Sequence, residues 1–339
     1  MTKVQINNLV LDGVFPEATQ HRELVETHIS WVIICDHFVY KIKKPVQYSF
    51  LDFSTLQQRE YFCTREIEQN KRLTGDTYIE VLPVCEWAGS FKIGGEQNGV
   101  IDYAVRMHRL DKEKQMDLLI LQDKVTAQDI RNLAEKIATF HKGSTIIYRE
   151  DFLDIRDKFN DLASESVFLN EQAGSAGNDI IQHAIITSDK FIEKNKSLLA
   201  ARVNAGFCRD CHGDLHSRNI FLLPAPLPFD CIEFNDDFRQ IDVLNEVAFL
   251  CMDLDAFGRT DLSALFIKYY NGFFPAMNST EEQSLFIYYK SYRANIRAKV
   301  NSLRARTALD EKSKKKALEA AGKYLDLMDA YLRSPEILL

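Results

Sequence analysis

The run Cys211-His212-Gly213-Asp214-Leu215-His216-Ser217-Arg218-Asn219 sets a carboxylate five residues ahead of an amide, in a short polar loop that enters an apolar strand. Phosphoryl transfer asks for this pairing. It needs little covalent help from protein, but it does need a carboxylate to take the attacking hydroxyl's proton and an oxygen ligand to hold magnesium beside it. Asp214 suits the first role and Asn219 the second. Cys208 to His212 also satisfies Cys-x-x-Cys-His, the pattern of covalent haem attachment. Such attachment belongs to exported proteins, and Met1 to Ser30 lacks a basic segment followed by an apolar core and a small-residue cleavage site. A turn merely closed by His212 and Asp214 is the plainest reading of the same residues.

A second metal ligand must converge on Asn219 from a separate segment. Ile220 to Leu223 and Phe229 to Phe234 read as strands joined by Pro224-Ala225-Pro226-Leu227-Pro228, which prolines stiffen and keep out of a ladder. If their pairing is centred on Pro226, Asn219 falls opposite Glu233, and Asp230 lies beside Leu222. Asp230 is also an odd number of residues from Glu233, so the two side chains point to opposite faces. Glu233 is therefore the expected second ligand and Asp230 a structural residue. An edge-strand acid facing water is the alternative for Glu233, against which stand its bulky apolar neighbours Ile232 and Phe234.

The phosphates need a cation, and Phe38 to Pro45 reads as a strand with Lys41 and Lys43 on one face. Such a lysine is tethered by a carboxylate from a neighbouring helix. The helix is expected from Ser54 to Leu73, opened by a capping box of Ser54 with Gln57. Its stripe Leu56, Cys63, Glu66, Asn70, Leu73 faces inward, so Glu66 is a buried charge that requires a partner. Glu68 is turned away, with Arg72 four residues on. Lys41 with Glu66 is the expected anchoring pair, although surface lysines on an edge strand show the same pattern. No Gly-x-Gly-x-x-Gly precedes Lys41, and the turn between Trp31–Cys35 and Phe38–Lys41 offers Asp36-His37. The turn at 94–99 follows the helix and reads as a hairpin loop. The strand from Ile101 to Leu110 is expected to leave the small lobe as the interlobe linker, with backbone groups at Met107 and His108 meeting the adenine edge.

Around these segments the chain divides into a small α+β lobe, residues 1–108, and a larger, mainly helical lobe, 109–339. Helices are expected at Thr126–His141, Arg149–Asn170 and Ile180–Val203, with a flexible stretch from Ala173 to Asn178. A chain of 339 residues ordinarily forms two lobes or domains. The net charge of -7 argues against a general nucleic-acid or anionic-membrane surface, and apolar runs such as Trp31–Cys35 are far too short to span a bilayer. Seven cysteines at irregular spacing read as reduced thiols of a cytoplasmic protein rather than a disulfide frame, and zinc lacks a second closely spaced Cys or His pair.

With these pieces in order the chain resembles the aminoglycoside phosphotransferase-like kinases, and most closely the bacterial phosphotransferases whose loop reads His-Gly-Asp-Leu-His and whose following strand reads Ile-Glu-Phe-Asn. The resemblance runs from about Glu26 to Arg304. It implies a bilobal protein-kinase-like fold, ATP and Mg2+ as cofactors, and a small-molecule acceptor. It also implies Asp214 as catalytic base, Asn219 and Glu233 as metal ligands, and Lys41 with Glu66 as the phosphate anchor. Glu233 departs from the Asp usual there, which keeps Asp230 in reserve. His216 stands where protein kinases carry a lysine that touches the transferred phosphate. It serves either that role when protonated or the rigidity of the loop. Asp242 and Glu246 open a buried helix, and an acid there braces the catalytic loop in relatives.

The acceptor of such enzymes lies against the C-terminal helices. Tyr289, Arg293 and Arg297 recur at spacings of four along one helical face, which points to an acceptor bearing a carboxylate or phosphate. A packing stripe with snorkelling arginines is the competing reading. The competing function is a pseudokinase that binds nucleotide or partners without turnover, for which the missing glycine loop and the Glu at position 233 would speak.

Overall fold

The computed structural model describes residues 1–95, 99–173, 175–308 and 310–338. It separates the chain into two compact units, Met1–Leu118 with Arg218–Arg239, and Leu119–Ser217 with Gln240–Leu339. A single cut after residue 108 therefore divides the chain differently. The first unit runs ten residues further and takes in the segment that carries Asn219, Asp230 and Glu233.

In the first unit, strands β1 (Arg22–Glu26), β2 (Ser30–Cys35), β3 (Phe38–Lys43), β6 (Tyr78–Trp87), β7 (Ser90–Ile93) and β8 (Val100–His108) form a six-stranded sheet in the order β1-β2-β3-β8-β6-β7. Every pairing in it is antiparallel. Strands β4 (Gln47–Tyr48) and β5 (Leu51–Asp52) make a separate small hairpin after β3. Helix α1 (Lys3–Asp12) packs Ile6 and Leu9 into a core with Trp31, Ile33, Tyr40 and Ile42. Neither α1 nor β1 stood out in the sequence. Strand β1 is a charged, largely exposed edge, Arg-Glu-Leu-Val-Glu, without the buried alternation that marks an inner strand. The turn at 94–99, of which 96–98 lie outside the described residues, connects β7 to β8. Those strands flank β6 on either side and do not pair with each other.

Helix α2 (Leu56–Thr74) is capped by Thr55 with Gln58, one residue later than the Ser54 box. Its buried face holds Cys63, Glu66, Ile67, Asn70 and Leu73, as the helical period requires. Glu68 is exposed, with Arg65 Nη1 3.7 Å from its carboxylate. A two-stranded ribbon, β10 (Ile220–Phe221) with β11 (Leu227–Pro228), completes this unit.

Helix α3 (Met116–Leu121) leads into the second unit, which is helical apart from one ribbon, β9 (Cys208–Asp210) with β12 (Gln240–Asp242). Its helices are α4 (Ala127–Gly143), α5 (Ile155–Asn160), α6 (Ser166–Ala173), α7 (Ser175–Lys194), α8 (Lys196–Asn204), α9 (Val243–Ala256), α10 (Thr260–Phe273), α11 (Thr280–Thr307), α12 (Glu311–Leu332) and α13 (Pro335–Leu338). Helix α4 starts where expected, at Thr126, whose hydroxyl caps it in a box with Asp129. The stretch from Arg149 to Asp154 stays outside the helices, so α5 begins later than the sequence pattern implied. The stretch expected to be flexible is mostly helix: Ala173 ends α6 and Ser175 opens α7, while Gly174 lies outside the described residues. Every residue of α9 but Asp255 is buried, the mark of a central core helix. Because α9 directly follows β12, and β12 pairs with β9, which leads into the loop Cys211–Ser217, the first turn of α9 lies beside that loop. Among the described residues no helix is long and apolar enough to cross a membrane.

Candidate active site

The sheet unit places Lys41 and Lys43 two residues apart on β3, so both side chains leave the same face toward α2. Glu66 receives both: Oε1 lies 2.8 Å from Lys41 Nζ and Oε2 2.7 Å from Lys43 Nζ. Each lysine has a second acid. Lys41 reaches Asp230 Oδ1 at 2.7 Å, and Lys43 pairs with Glu233 Oε1. Two cations thus face three carboxylates. Lys43 and Glu66 are fully buried, with the Phe53 ring centred 4.8 Å from Lys43 Nζ, whereas Lys41 is 14% and Asp230 42% exposed. Burial would lift the Glu66 carboxyl out of its ionised form, but Lys41 and Lys43 outweigh it and hold its pKa below the usual carboxylate value. Burial also works against Lys41, whose pKa is carried well above the lysine value by Asp230, Glu66 and Glu233. Of the two lysines, Lys41 is the less buried.

Ile220 pairs with Pro228 and Phe221 with Leu227, so the hairpin is centred on Pro224 and not on Pro226. Asn219 therefore faces Phe229, whose N–H donates to its carbonyl at 2.9 Å, and Asp230 comes next to Asn219 in place of Glu233. The ladder stops after Pro228, so the strand alternation expected to separate Asp230 from Glu233 does not apply. Asp230 takes a left-handed backbone, φ +62°, which Asp tolerates better than most residues. Glu233 is 4% exposed and committed to Lys43. Burial raises its pKa and Glu66 raises it further, against the pull of Lys43. The oxygens that suit a hard divalent cation are thus the Asn219 amide and the half-exposed Asp230 carboxylate, on adjoining backbone segments.

The strand register also locates the turn at the lysine end of the sheet. Ser30 pairs with Lys43, so the β1–β2 turn, Thr27-His28-Ile29, lies at that end and Asp36-His37 at the other. Thr27 N–H donates to Ser30 O at 2.9 Å, Lys44 N–H to Ile29 O at 2.8 Å, and Lys44 Nζ to Thr27 O at 2.5 Å. A tied, glycine-free turn stands where a glycine loop was sought. Met107 is paired on both sides, with Val39 and Tyr78, and its side chain is buried beside Cys63 and Ile67. His108 is exposed at the strand end, its ring centred 5.3 Å from that of Phe38. A cavity of about 510 Å³ opens just beyond it, lined by Asp36, His37, Arg109, Asp111, Lys112 and Glu113 among others.

In the helical unit the loop Cys211–Ser217 is held from several sides. Glu246, in the first turn of α9, accepts the N–H groups of His212 at 2.6 Å and Gly213 at 3.0 Å. Gly213 sits at φ +89°, a backbone that any side chain would strain. Asp253, two turns along α9, accepts both Ser217 N–H (2.9 Å) and Oγ–H (2.5 Å). Arg293 donates through Nη1 to Gly213 O at 3.2 Å and through Nε to Asn245 Oδ1 at 2.7 Å, with Phe249 4.9 Å beneath it. Asp214 N–H donates to His212 Nδ1 at 3.2 Å, and the Asp214 carboxylate, 36% exposed, lies 3.4 Å from His216 Nε2. Burial would raise the Asp214 pKa, but His216, then Arg297 and His212, draw it below the usual carboxylate range. The outcome is an ionised, partly exposed carboxylate on a backbone held from several sides.

Asp242 has other work than bracing the loop. It caps α9 through Leu244 N–H at 2.8 Å and takes a two-pronged contact from Arg202, at 2.6 and 2.9 Å. The residues expected to meet the acceptor are largely packed. Tyr289, Arg293 and Arg297 do share one side of α11, but that side is buried, Tyr289 to 3% and Arg293 to 4% exposure, and Arg293 is spent on Gly213 and Asn245. Asp253 went unnoticed in the sequence, where an Asp eleven residues into an apolar helix gives no sign of its target. His141, Cys211 and Glu246 bring ring nitrogen, sulfur and carboxylate oxygen within 4.8 Å of one another, a grouping that sequence spacing did not reveal. Burial and the charge of Glu246 push the Cys211 thiol well above its usual pKa, and it donates to Ile241 O at 3.6 Å. Both cysteines of the Cys-x-x-Cys-His run are buried, which argues against the haem reading, and none of the seven cysteines is in a disulfide.

No family model matches the sequence. An uncharacterized protein of Mycobacterium bovis and two uncharacterized proteins of Mycobacterium tuberculosis are each 30% identical over 285 residues, which is 82% of this chain and 54% of theirs. The chain spans about half the length of the curated relatives it matches. Among solved structures it is similar to a choline/ethanolamine kinase family protein from Mesorhizobium loti, with a TM-score of 0.54, 12% identity, and coverage of 95% of this chain and 92% of that one. It is also similar to the GDP complex of an aminoglycoside 2′-phosphotransferase, with a TM-score of 0.52, 14% identity, and coverage of 91% and 92%. At these identities the likeness is one of fold, and the chain has the protein-kinase-like α+β fold, a small antiparallel-sheet unit and a larger helical unit, that those two proteins share with it.

Proposed function

We propose that this chain is an ATP- and magnesium-dependent phosphotransferase that moves the γ-phosphate to a hydroxyl of a small molecule. The observation that carries this reading is the Lys41–Glu66–Asp230 constellation: a tethered, partly exposed ammonium whose second carboxylate partner adjoins Asn219. In this reading Lys41 binds the α- and β-phosphates, and the non-glycine turn Thr27-His28-Ile29 covers them. Asn219 and Asp230 would hold the metal, which neutralises charge building on the phosphates. Asp214 takes the proton from the acceptor hydroxyl as its oxygen bonds to phosphorus and the bond to the departing ADP breaks. His216 orients that carboxylate. Glu233, the sequence-based choice of ligand, instead holds Lys43 in the tether. The placement of the Asp214 carboxylate, partly exposed on a loop that Glu246, Asp253 and Arg293 hold in place, supports turnover over a pseudokinase.

Calorimetric titration with ATP, with and without magnesium, tests the reading. Saturable, magnesium-dependent binding is expected, with the magnesium dependence largely lost in Asp230→Asn and the Lys41 contact retained. Absence of nucleotide binding in both conditions would remove the proposal. If Asp230→Asn leaves the magnesium dependence intact, the metal belongs to other oxygens.

A further inference from the structure

Buried cations are costly unless they are paired. On α11, Arg293 obeys this rule through Asn245 and the carbonyl of Gly213. Arg297, one turn further along the same face, does not. It is 9% exposed, its Nε lacks a hydrogen-bond partner, and among the described residues no carboxylate stands at ion-pair distance from its guanidinium. Tyr324 on α12 offers it a π face, its ring centred 5.4 Å away, and a polar hydroxyl contact, but no carboxylate. The two acids that act on its charge, Asp253 and Asp214, have partners of their own, Ser217 for Asp253 and His216 for Asp214.

The position of this under-compensated charge follows from α11 itself. Arg293 is pinned to the carbonyl of Gly213, the residue before Asp214. Arg297 follows one helical turn on, about 5.4 Å along the axis, within electrostatic range of Asp214. Consistent with that placement, the two charges feel each other: Arg297 helps to lower the Asp214 pKa, after His216. A planar guanidinium fork is suited to the two oxygens of a carboxylate or phosphate.

We propose that Arg297 is the anion-recognising group of the acceptor subsite in the helical unit, so that the hydroxyl compound presented to Asp214 carries a carboxylate or phosphate that pairs with this guanidinium. This rests on the phosphotransferase reading and narrows its substrate class to anionic hydroxyl compounds. The anion supplies the charge that the fold leaves out, and the hydroxyl is fixed at the distance between Arg297 and Asp214. A cationic acceptor is repelled at the same point.

Inorganic phosphate serves as the probe oxyanion on the full chain. The protein is first saturated with the non-hydrolysable analogue AMP-PNP and magnesium, then titrated with phosphate in a calorimeter. Wild type is expected to bind phosphate saturably, Arg297→Gln at least tenfold more weakly, and Arg297→Lys in between, with AMP-PNP affinity the same in all three. Retained AMP-PNP affinity and circular dichroism report folding, and Arg297→Lys carries the comparison if Arg297→Gln does not fold. Equal phosphate binding in wild type and variant, or none in wild type, overturns the assignment. Phosphate binding to nucleotide-free protein that AMP-PNP abolishes places Arg297 at the transferred phosphoryl group and overturns it too. Failure of wild type to bind AMP-PNP appears before any phosphate is added; it sinks the phosphotransferase reading and, with it, this acceptor assignment.

Discussion

Asp214→Ala is expected to lower turnover by about two to four orders of magnitude while leaving AMP-PNP affinity within about twofold. The loss is confined to the chemical step because the residues assigned to the nucleotide, Lys41, Glu66 and Asp230, belong to the sheet unit. The pH dependence follows from the same carboxylate. Its pKa lies below the ordinary aspartate value of about 3.9, drawn down by His216, Arg297 and His212 against burial. The base form is therefore present throughout the range from about pH 5 upward, and Asp214 should contribute no acidic limb there. Removing a positive neighbour raises its pKa, so any acidic limb in Arg297→Gln moves toward neutrality. Single-turnover rates across pH check both statements. A rate unchanged in Asp214→Ala would end its assignment as base, and a wild-type limb near pH 6 that vanishes in Asp214→Asn would contradict the depressed pKa.

Glu66→Gln is expected to destabilise the sheet unit by about 3–5 kcal/mol, because removal of one member of a buried ion cluster strands the others. Glu66 and Lys43 are fully buried, so solvent screens little of the interaction. After the substitution, Lys43 keeps Glu233 and Lys41 keeps Asp230, but the carboxylate that joined the two pairs is gone. The pH sense is fixed by the sign of the shift. The folded-state pKa of Glu66 is lowered, so its contribution is complete above the unfolded value of about 4.3 and is lost as pH falls through the lower, folded value. Chemical denaturation of wild type, Glu66→Gln, Lys43→Met and the double variant at neutral pH measures the coupling directly. A cost below about 1 kcal/mol for Glu66→Gln, with no coupling to Lys43, would mean that the cluster is not a structural tether.

The parts of the site legible in the sequence are those set by local period. Two-residue spacing in a strand puts Lys41 and Lys43 on one face, and the helical stripe of α2 marks Glu66 as inward, so their convergence follows from geometry within two short segments. The loop from Cys211 to Asn219 is likewise self-announcing, because its acid and amide lie in one continuous run. Of the sheet, the strands at Trp31–Cys35, Phe38–Pro45 and Ile101–Leu110 were legible, and the charged edge strand β1, which carries no buried alternation, was not. What only the tertiary structure decided are the matters of register and partnership. The ribbon Ile220–Pro228 has prolines at three positions in and beside its turn, so several registers satisfy the same pattern. The contacts that chose among them, Asp230 with Lys41 and Glu233 with Lys43, join residues about 190 positions apart. The basic face of α11 is the second case. Sequence spacing shows that Arg293 and Arg297 align, but not that Arg293 meets the carbonyl of Gly213 while Arg297 is buried without an acid. A helix's period determines which side chains share a face. Which of them are neutralised there depends on the elements packed against that face, and at Arg297 that packing leaves a guanidinium to be met by a ligand.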